Sequence, residues 1–212
     1  MRKKTQRIFA GILAVLITIA MVGLGIIGVV FSGDEPPTGS TTSNKTANAA
    51  TEYQAQKVRI EAMVKQAKLD PGNILLQTAL GNEYYDAGMA AEEVAPTETE
   101  KNFKQAVEAY QIVLKTNKDP NIMVNMATAA FYSGENDLAE KTYKEAIVLK
   151  PDSYNALGNY GVFLSQAKND WAAALIQWQK AQTLAQNSAD QDRIKTLISQ
   201  AQNQLKANPV TP

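Results

Sequence analysis

Acid–base chemistry in this sequence would have to come from carboxylates. None of the 212 residues is a histidine or a cysteine, which removes imidazole catalysis, thiol nucleophiles, disulfides, Cys/His zinc sites and the usual haem ligands. Closely spaced carboxylates occur at Glu92 and Glu93 and again at Glu98 and Glu100, the composition a glycosidase-type pair or a calcium site would use. A general acid also needs an apolar pocket that raises its pKa. These four side chains lie in the polar stretch MAAEEVAPTETEK, residues 89–101, which promises none. The pattern therefore offers no catalytic residue, no metal ligand set and no cofactor site. An enzyme is the least favoured reading, and the amides, hydroxyls and tyrosine rings that remain are groups that recognise rather than transform.

Charge distribution shows where such recognition would take place. The first 31 residues hold four basic groups and no acidic one, while the remainder holds 17 basic and 21 acidic. A mildly acidic body has no reason to seek nucleic acid, which is bound through clustered Lys and Arg. Residues 8–31 form a run of 24 residues without a charge, about 36 Å as a helix and long enough to span a bilayer core. Arg2, Lys3, Lys4 and Arg7 precede it and Asp34 and Glu35 follow, so residues 1–7 are placed in the cytoplasm and everything after the span outside. A cleaved signal peptide is the competing reading; it would have a shorter apolar core and a better small-x-small site than Val30-Phe31-Ser32. Ala10, Ala14 and Thr18 form a small-residue stripe of the kind that can pair two anchors. Residues 32–50 hold no large aliphatic or aromatic side chain and read as a flexible tether whose ends lie roughly 25 Å apart. Asn44-Lys45-Thr46 within it matches a glycosylation sequon.

From residue 51 onward the apolar residues recur at three- and four-residue spacing, with breaks at Asp70-Pro71-Gly72, Asp119-Pro120, Lys150-Pro151-Asp152 and Asn187-Ser188, which predicts helices throughout. One triplet appears three times: Ala106-x3-Tyr110-x2-Val113, Ala139-x3-Tyr143-x2-Ala146 and Ala174-x3-Trp178-x2-Ala181. A second precedes each: Leu80-Gly81-x2-Tyr84, Met126-Ala127-x2-Ala130 and Tyr160-Gly161-x2-Leu164. A period near 34 residues with these two triplets and a closing proline resembles the tetratricopeptide repeat (TPR). Residues 120–153 match best, with Gly134 at the inter-helix turn and Pro151 at the end. Gln77, Met123 and Leu157 stand where the family has its early tryptophan. The resemblance implies an all-α fold: a right-handed α-solenoid of about three helical hairpins, behind one transmembrane helix. The repeats fall at about 72–119, 120–153 and 154–187, within a solenoid of residues 51–206 followed by a tail, 207–212.

Neighbouring hairpins must stack and the ends must be capped. A helix over residues 51–68, with Val58, Ile60, Met63, Val64 and Ala67 apolar, is expected to cover the first repeat, and one over residues 189–206 the last. Ser188-x-x-Gln191 and Thr97-x-x-Glu100 read as capping boxes. The 13 residues 89–101 are an insertion in the first repeat. Their helix-friendly residues and Pro96-Thr97 predict a first hairpin lengthened by roughly two turns per arm, ending in a protruding acidic tip of Glu92, Glu93, Glu98 and Glu100.

The resemblance further implies that the first helix of each repeat lines a concave groove that receives a peptide or a helix. Thr78, Asn82, Tyr85 and Asp86 would face it from the first repeat. Val124, Asn125, Thr128 and Tyr132 would do so from the second, and Asn155, Asn159, Val162 and Gln166 from the third. For Asn125 and Asn159 a role in the packing of the repeat itself stands as the alternative, and Val124 and Val162 can equally be core. Residues 72–88, 121–134 and 152–167 contain no Lys or Arg, so the cationic clamp by which some members of the family hold acidic chaperone tails is absent. The expected ligand is a neutral, extended or hydrophobic protein segment. Together these features predict an adaptor or assembly factor, anchored in a membrane with its repeats outside, as in bitopic TPR proteins of bacterial plasma membranes. A homo-oligomeric structural component is the alternative.

Overall fold

The computed structural model describes residues 42–208 of the chain. The predicted cytoplasmic segment, span and first part of the tether lie outside the described residues. Among the described residues no helix is long and apolar enough to cross a membrane. The described residues form eight helices and no strand: α1 (Thr42–Leu69), α2 (Ile74–Val94), α3 (Pro96–Leu114), α4 (Pro120–Tyr132), α5 (Asn136–Leu149), α6 (Tyr154–Ala167), α7 (Trp171–Gln182) and α8 (Ser188–Ala207). Three hairpins, α2/α3, α4/α5 and α6/α7, stack in order, with α1 packed on α2 and α8 on α7.

The helices begin where short polar side chains can satisfy free backbone N–H groups. Asn73, Asp119, Ser153, Asp170 and Asn187 each accept from an N–H two or three residues ahead. Two of the capping expectations are corrected by this. The last helix is capped by Asn187, which accepts from Asp190 N, with Ser188 already inside it. The second helix of the first repeat starts at Pro96, with Ala95 at the cap and no side-chain bond, so Thr97 lies in its first turn. Proline at the first helical position needs no N–H partner, which is why one residue suffices for this turn. Gly134 turns the second hairpin at φ +82°, a conformation that favours glycine, and Asn169 takes φ 54° in the third.

Within each hairpin a small residue on the first helix faces a ring on the second. A Cβ added at Gly81 would lie 2.6 Å from the Tyr110 ring, and one at Gly161 would run into the Trp178 indole. Ala127 and Tyr143 hold the same register in the second hairpin, both fully buried. The insertion lengthens α2 and α3 to 21 and 19 residues against 13 and 14 for α4 and α5, as expected. It also repeats the packing device: one heptad beyond the first pair, a Cβ at Gly88 would meet Phe103 at 2.8 Å.

The end of this hairpin differs from the acidic protrusion expected. Helix α1 lies along it, burying Tyr53, Ile60 and Ala67 on one stripe with a heptad spacing. Val58, expected in that face, is 67% exposed, and Tyr53, not expected there, is 1% exposed. The Tyr53 hydroxyl donates to Glu98 (2.9 Å) and accepts from Asn102 Nδ2 (2.9 Å), while Lys57 bridges to Glu98 at 2.9 Å. Glu93 and Glu100 are exposed, Glu100 paired with Lys104, and Glu92 is half-buried. Because α1 starts at Thr42, residues 42–50, assigned above to the tether, are helical.

Candidate functional site

The first helices of the three hairpins, α2, α4 and α6, present one shared face. Its polar residues fall into two groups according to what the second helices do with their tyrosines. A buried phenol must find a hydrogen-bond partner, and here the partners come from this face. Tyr110 donates to Asn82 Oδ1 at 2.8 Å and is also bonded by Asn125 of the next hairpin. Tyr143 shares a 2.8 Å hydrogen bond with Thr128, and Asn159 of the third hairpin reaches the same Thr128 oxygen at 3.5 Å. Asn125 and Asn159 are one repeat apart; Asn125 meets Tyr110 itself, whereas Asn159 reaches Tyr143 only through Thr128. Trp178, last in the series, donates to the Gly158 carbonyl instead.

The twelve candidate residues therefore do not all line an open groove, and for Asn159 and Val124 the packing alternative is the one observed. Thr128 and Asn159 are buried, at 3% and 4% exposure, and act as internal partners. Val124 is likewise core, Val162 is half-buried against it, and Thr78 spends its hydroxyl on the Ile74 carbonyl. Asn82 and Asn125 are exposed but hold Tyr110. Asp86, Asn155 and Gln166 stand open on the surface, joined by Leu75 at 83% exposure and Asn121. Tyr85 and Tyr132 are half-buried and belong to an aromatic run that the sequence pattern had not assembled. Tyr85 meets Phe103 edge-on at 5.6 Å, Phe103 stacks on Tyr132 at 4.9 Å, and Phe131 beside Tyr132 meets Phe163 edge-on at 5.6 Å. Phe103 was legible as the fourth member of a Phe103-Ala106-Val107-Tyr110 helical stripe. Phe131 and Phe163 could be placed only by the stacking of one hairpin on the next.

Electrostatically the face is neutral to acidic. Burial pushes the Tyr85, Tyr110, Tyr132 and Tyr143 phenols well above their ordinary range, so all four stay protonated at physiological pH. Helices α2, α4 and α6 contain no Lys or Arg. Their acidic residues are all on α2. Glu83 faces Arg59 of α1 at 3.6 Å. Asp86 and Glu92 have no ion-pair partner among the described residues, and desolvation raises the pKa of both, with Glu83 adding to the rise at Asp86. No group of three or more acidic side chains converges as a metal site among the described residues.

Two crystal structures of MamA resemble the chain over its hairpins. One has a TM-score of 0.51 at 15% identity, covering 80% of this chain and 98% of MamA. The other has a TM-score of 0.50 at 15% identity, covering 81% and 98%. The structure of PilW, described as a widely conserved type IV pilus biogenesis factor, matches at 16% identity over 82% of this chain and 96% of its own, with a TM-score of 0.37, too low to carry a shared fold. No family model and no curated protein matches the chain. The likeness to MamA, itself built of tetratricopeptide repeats, agrees with the sequence motifs and the stacked hairpins: the chain has the TPR fold.

Proposed function

We propose that the chain is an adaptor or assembly factor that holds a segment of another protein on the face formed by α2, α4 and α6, and does so from a membrane anchor at residues 8–31 with the repeats outside the cytoplasm. The observation that carries the reading is the division of labour on that face. Asn82, Asn125, Thr128 and Asn159 are needed to satisfy internal tyrosines, whereas Leu75, Asp86, Asn121, Asn155 and Gln166 are exposed and make no hydrogen bond that packing requires. A row of exposed polar and apolar groups along parallel helices, above half-buried Tyr85, Phe131 and Tyr132, suits a bound helix or extended chain.

Photocrosslinking in native membranes tests this directly. A benzoylphenylalanine at Asn155 or Gln166 is expected to give an adduct with a second protein, and one at Lys141 or Glu145, exposed on α5, is not. Equal crosslinking from both sets, or none from the first, would remove the groove from the proposal. A self-associating component is the second reading, favoured by exposed apolar side chains on the second helices of the hairpins: Val148 at 81% and Leu149 at 51% exposure on α5, and Ile176 at 52% on α7. Light scattering of the full chain in detergent separates the two, because the adaptor reading expects a concentration-independent monomer.

A further inference from the structure

The turns that join one hairpin to the next fall on one edge of the solenoid, because consecutive helices pack antiparallel through short turns. Helices α1, α3, α5 and α7 end on this edge. Each carries a lysine in its last turn or at its C-cap: Lys68, Lys115, Lys150 and Lys180. All four are exposed, and none has an ion-pair partner among the described residues. By contrast Lys57, Lys104, Lys144 and Lys168 are each bridged to a glutamate. The acidic groups of the edge are mostly engaged: Asp70 accepts from Asn73, Asp119 caps α4 and Asp190 accepts from Asn187, while Asp152 stands open. A helix dipole favours lysine at a C-terminus, but it gives no reason for large apolar side chains to stand in water beside it. Of the six such side chains exposed among the described residues, Leu69, Leu75, Val148 and Leu149 are in the terminal turns at this edge and Ile176 is on α7. The edge also has a recess. Helix α4 packs on α6, but α5 and α7 stand apart, and Pro151, Leu157, Ile176 and Leu184 line a shallow apolar groove with Lys180 and Asp152.

We propose that this edge is a second protein-docking surface, which takes an acidic segment of a partner protein: an apolar side chain of the segment enters the groove between α5 and α7, and its carboxylates meet Lys150 and Lys180. The edge is distinct from the face of α2, α4 and α6, so the two could hold different proteins at once, as bridging by an adaptor requires. Charge selects the segment. A basic one would be repelled by the free lysines, whereas an acidic one gives them partners and covers apolar surface that now faces water. Lysines beside exposed leucines also suit an anionic lipid surface. Two observations favour protein over lipid. A recess is filled by an inserted side chain, and the chain enters the solenoid at the other edge, since the 28 residues of α1 carry it about 42 Å from Thr42 to Leu69. With the anchor proposed above, this edge is the one farther from the membrane.

The full chain in phosphatidylcholine nanodiscs, screened against a displayed library of random linear peptides, tests the proposal. With benzoylphenylalanine at Ile176, enriched peptides are expected to crosslink there and to share Asp or Glu beside a large apolar residue. Lys150→Gln/Lys180→Gln should weaken their binding about fivefold, the scale of two partly exposed ion pairs. Ile176→Asp should weaken it at least about tenfold, and Lys141→Gln should leave it unchanged. All these positions are exposed, so the melting temperature should not move. Peptides that crosslink at Ile176 without an acidic residue, or that bind the double lysine variant as they bind the wild type, would overturn the proposal. Peptides that crosslink from Asn155 or Gln166 and never from Ile176 would overturn the edge and leave the face of α2, α4 and α6 standing. A library that yields no peptide at either place would overturn both. Cosedimentation with phosphatidylglycerol vesicles that Ile176→Asp abolishes would assign the edge to lipid instead, and a dimer in light scattering that the same variant dissolves would assign it to a second copy.

Discussion

Residue identity matters most where a glycine touches a ring. At Gly81, Gly88 and Gly161 two effects oppose each other: alanine in a helix interior is favoured over glycine by about 1 kcal/mol, but its methyl must fit against Tyr110, Phe103 or Trp178. Those rings are at most 1% exposed and have no room to retreat, so overpacking at about 1–3 kcal/mol decides the sign. Gly81→Ala and Gly88→Ala are each expected to lower stability in a urea melt, and Gly161→Leu to loosen the third hairpin more severely. Gly72→Ala, with nothing within 4 Å of the added Cβ, should be neutral or stabilising. Equal effects at Gly72 and Gly81 would contradict the close approach. Tyr85 also changes meaning at this scale. Its ring supports Phe103, so Tyr85→Ala would confound binding with folding.

Among the elements, α1 is the one whose attachment depends on the insertion. Its buried stripe ends at Tyr53, and the partners of Tyr53 and Lys57, namely Glu98 and Asn102, are on α3 at and beyond the place where the 13 extra residues were added. Removing residues 89–101 should therefore release the N-terminal half of α1, seen as fast amide exchange over residues 48–60, while α4 to α8 keep their protection. Tyr53→Phe should cost about 1 kcal/mol, the usual worth of such a hydrogen bond. The same contact gives a pH dependence. Lys57, and then Tyr53, hold the Glu98 carboxyl below its usual range, so its contribution is present above the unfolded carboxylate pKa and is lost as pH falls through the folded one. Glu98 is 39% exposed in its side chain, and screening keeps the effect small. Exchange in α1 should rise on acidification before that in α6, and Glu98→Gln should abolish the difference.

Taken whole, the molecule is three hairpins whose polar interior is wired from each one to the next, and an array of this kind unfolds from its ends. The C-terminal end is held by α8, where Tyr154 donates to the Asp190 carbonyl at 3.0 Å and Ile194, Leu197 and Ala201 are buried. The proposed anchor belongs to this scale too. If residues 8–31 are retained as a span, the protein should stay in the membrane fraction through a carbonate wash, and protease added outside should remove the repeats. Recovery of a soluble chain beginning near Gly33 would show a cleaved signal peptide instead.

Spacing along the chain was enough to determine the helical hairpins, their small-to-aromatic contacts, the turn at Gly134 and the lengthening of the first hairpin. Each of these depends on residues within one helix or one hairpin, where a 3.6-residue period and a steric rule suffice. The sequence also showed that no cation is available on α2, α4 or α6. Only the tertiary structure decided which polar residues on that face are free, because the partner of a buried tyrosine is chosen by how one hairpin sits on the next. Asn125 and Asn159 look like groove residues until Tyr110 engages the first and Thr128, the partner of Tyr143, the second. Tertiary structure likewise covered the acidic tip, since the residues that meet Glu98 come from Tyr53 and Lys57, more than forty positions away. Hydrogen bonds between residues that distant have no signature in local periodicity, and here they separate the side chains that build the solenoid from those left to bind.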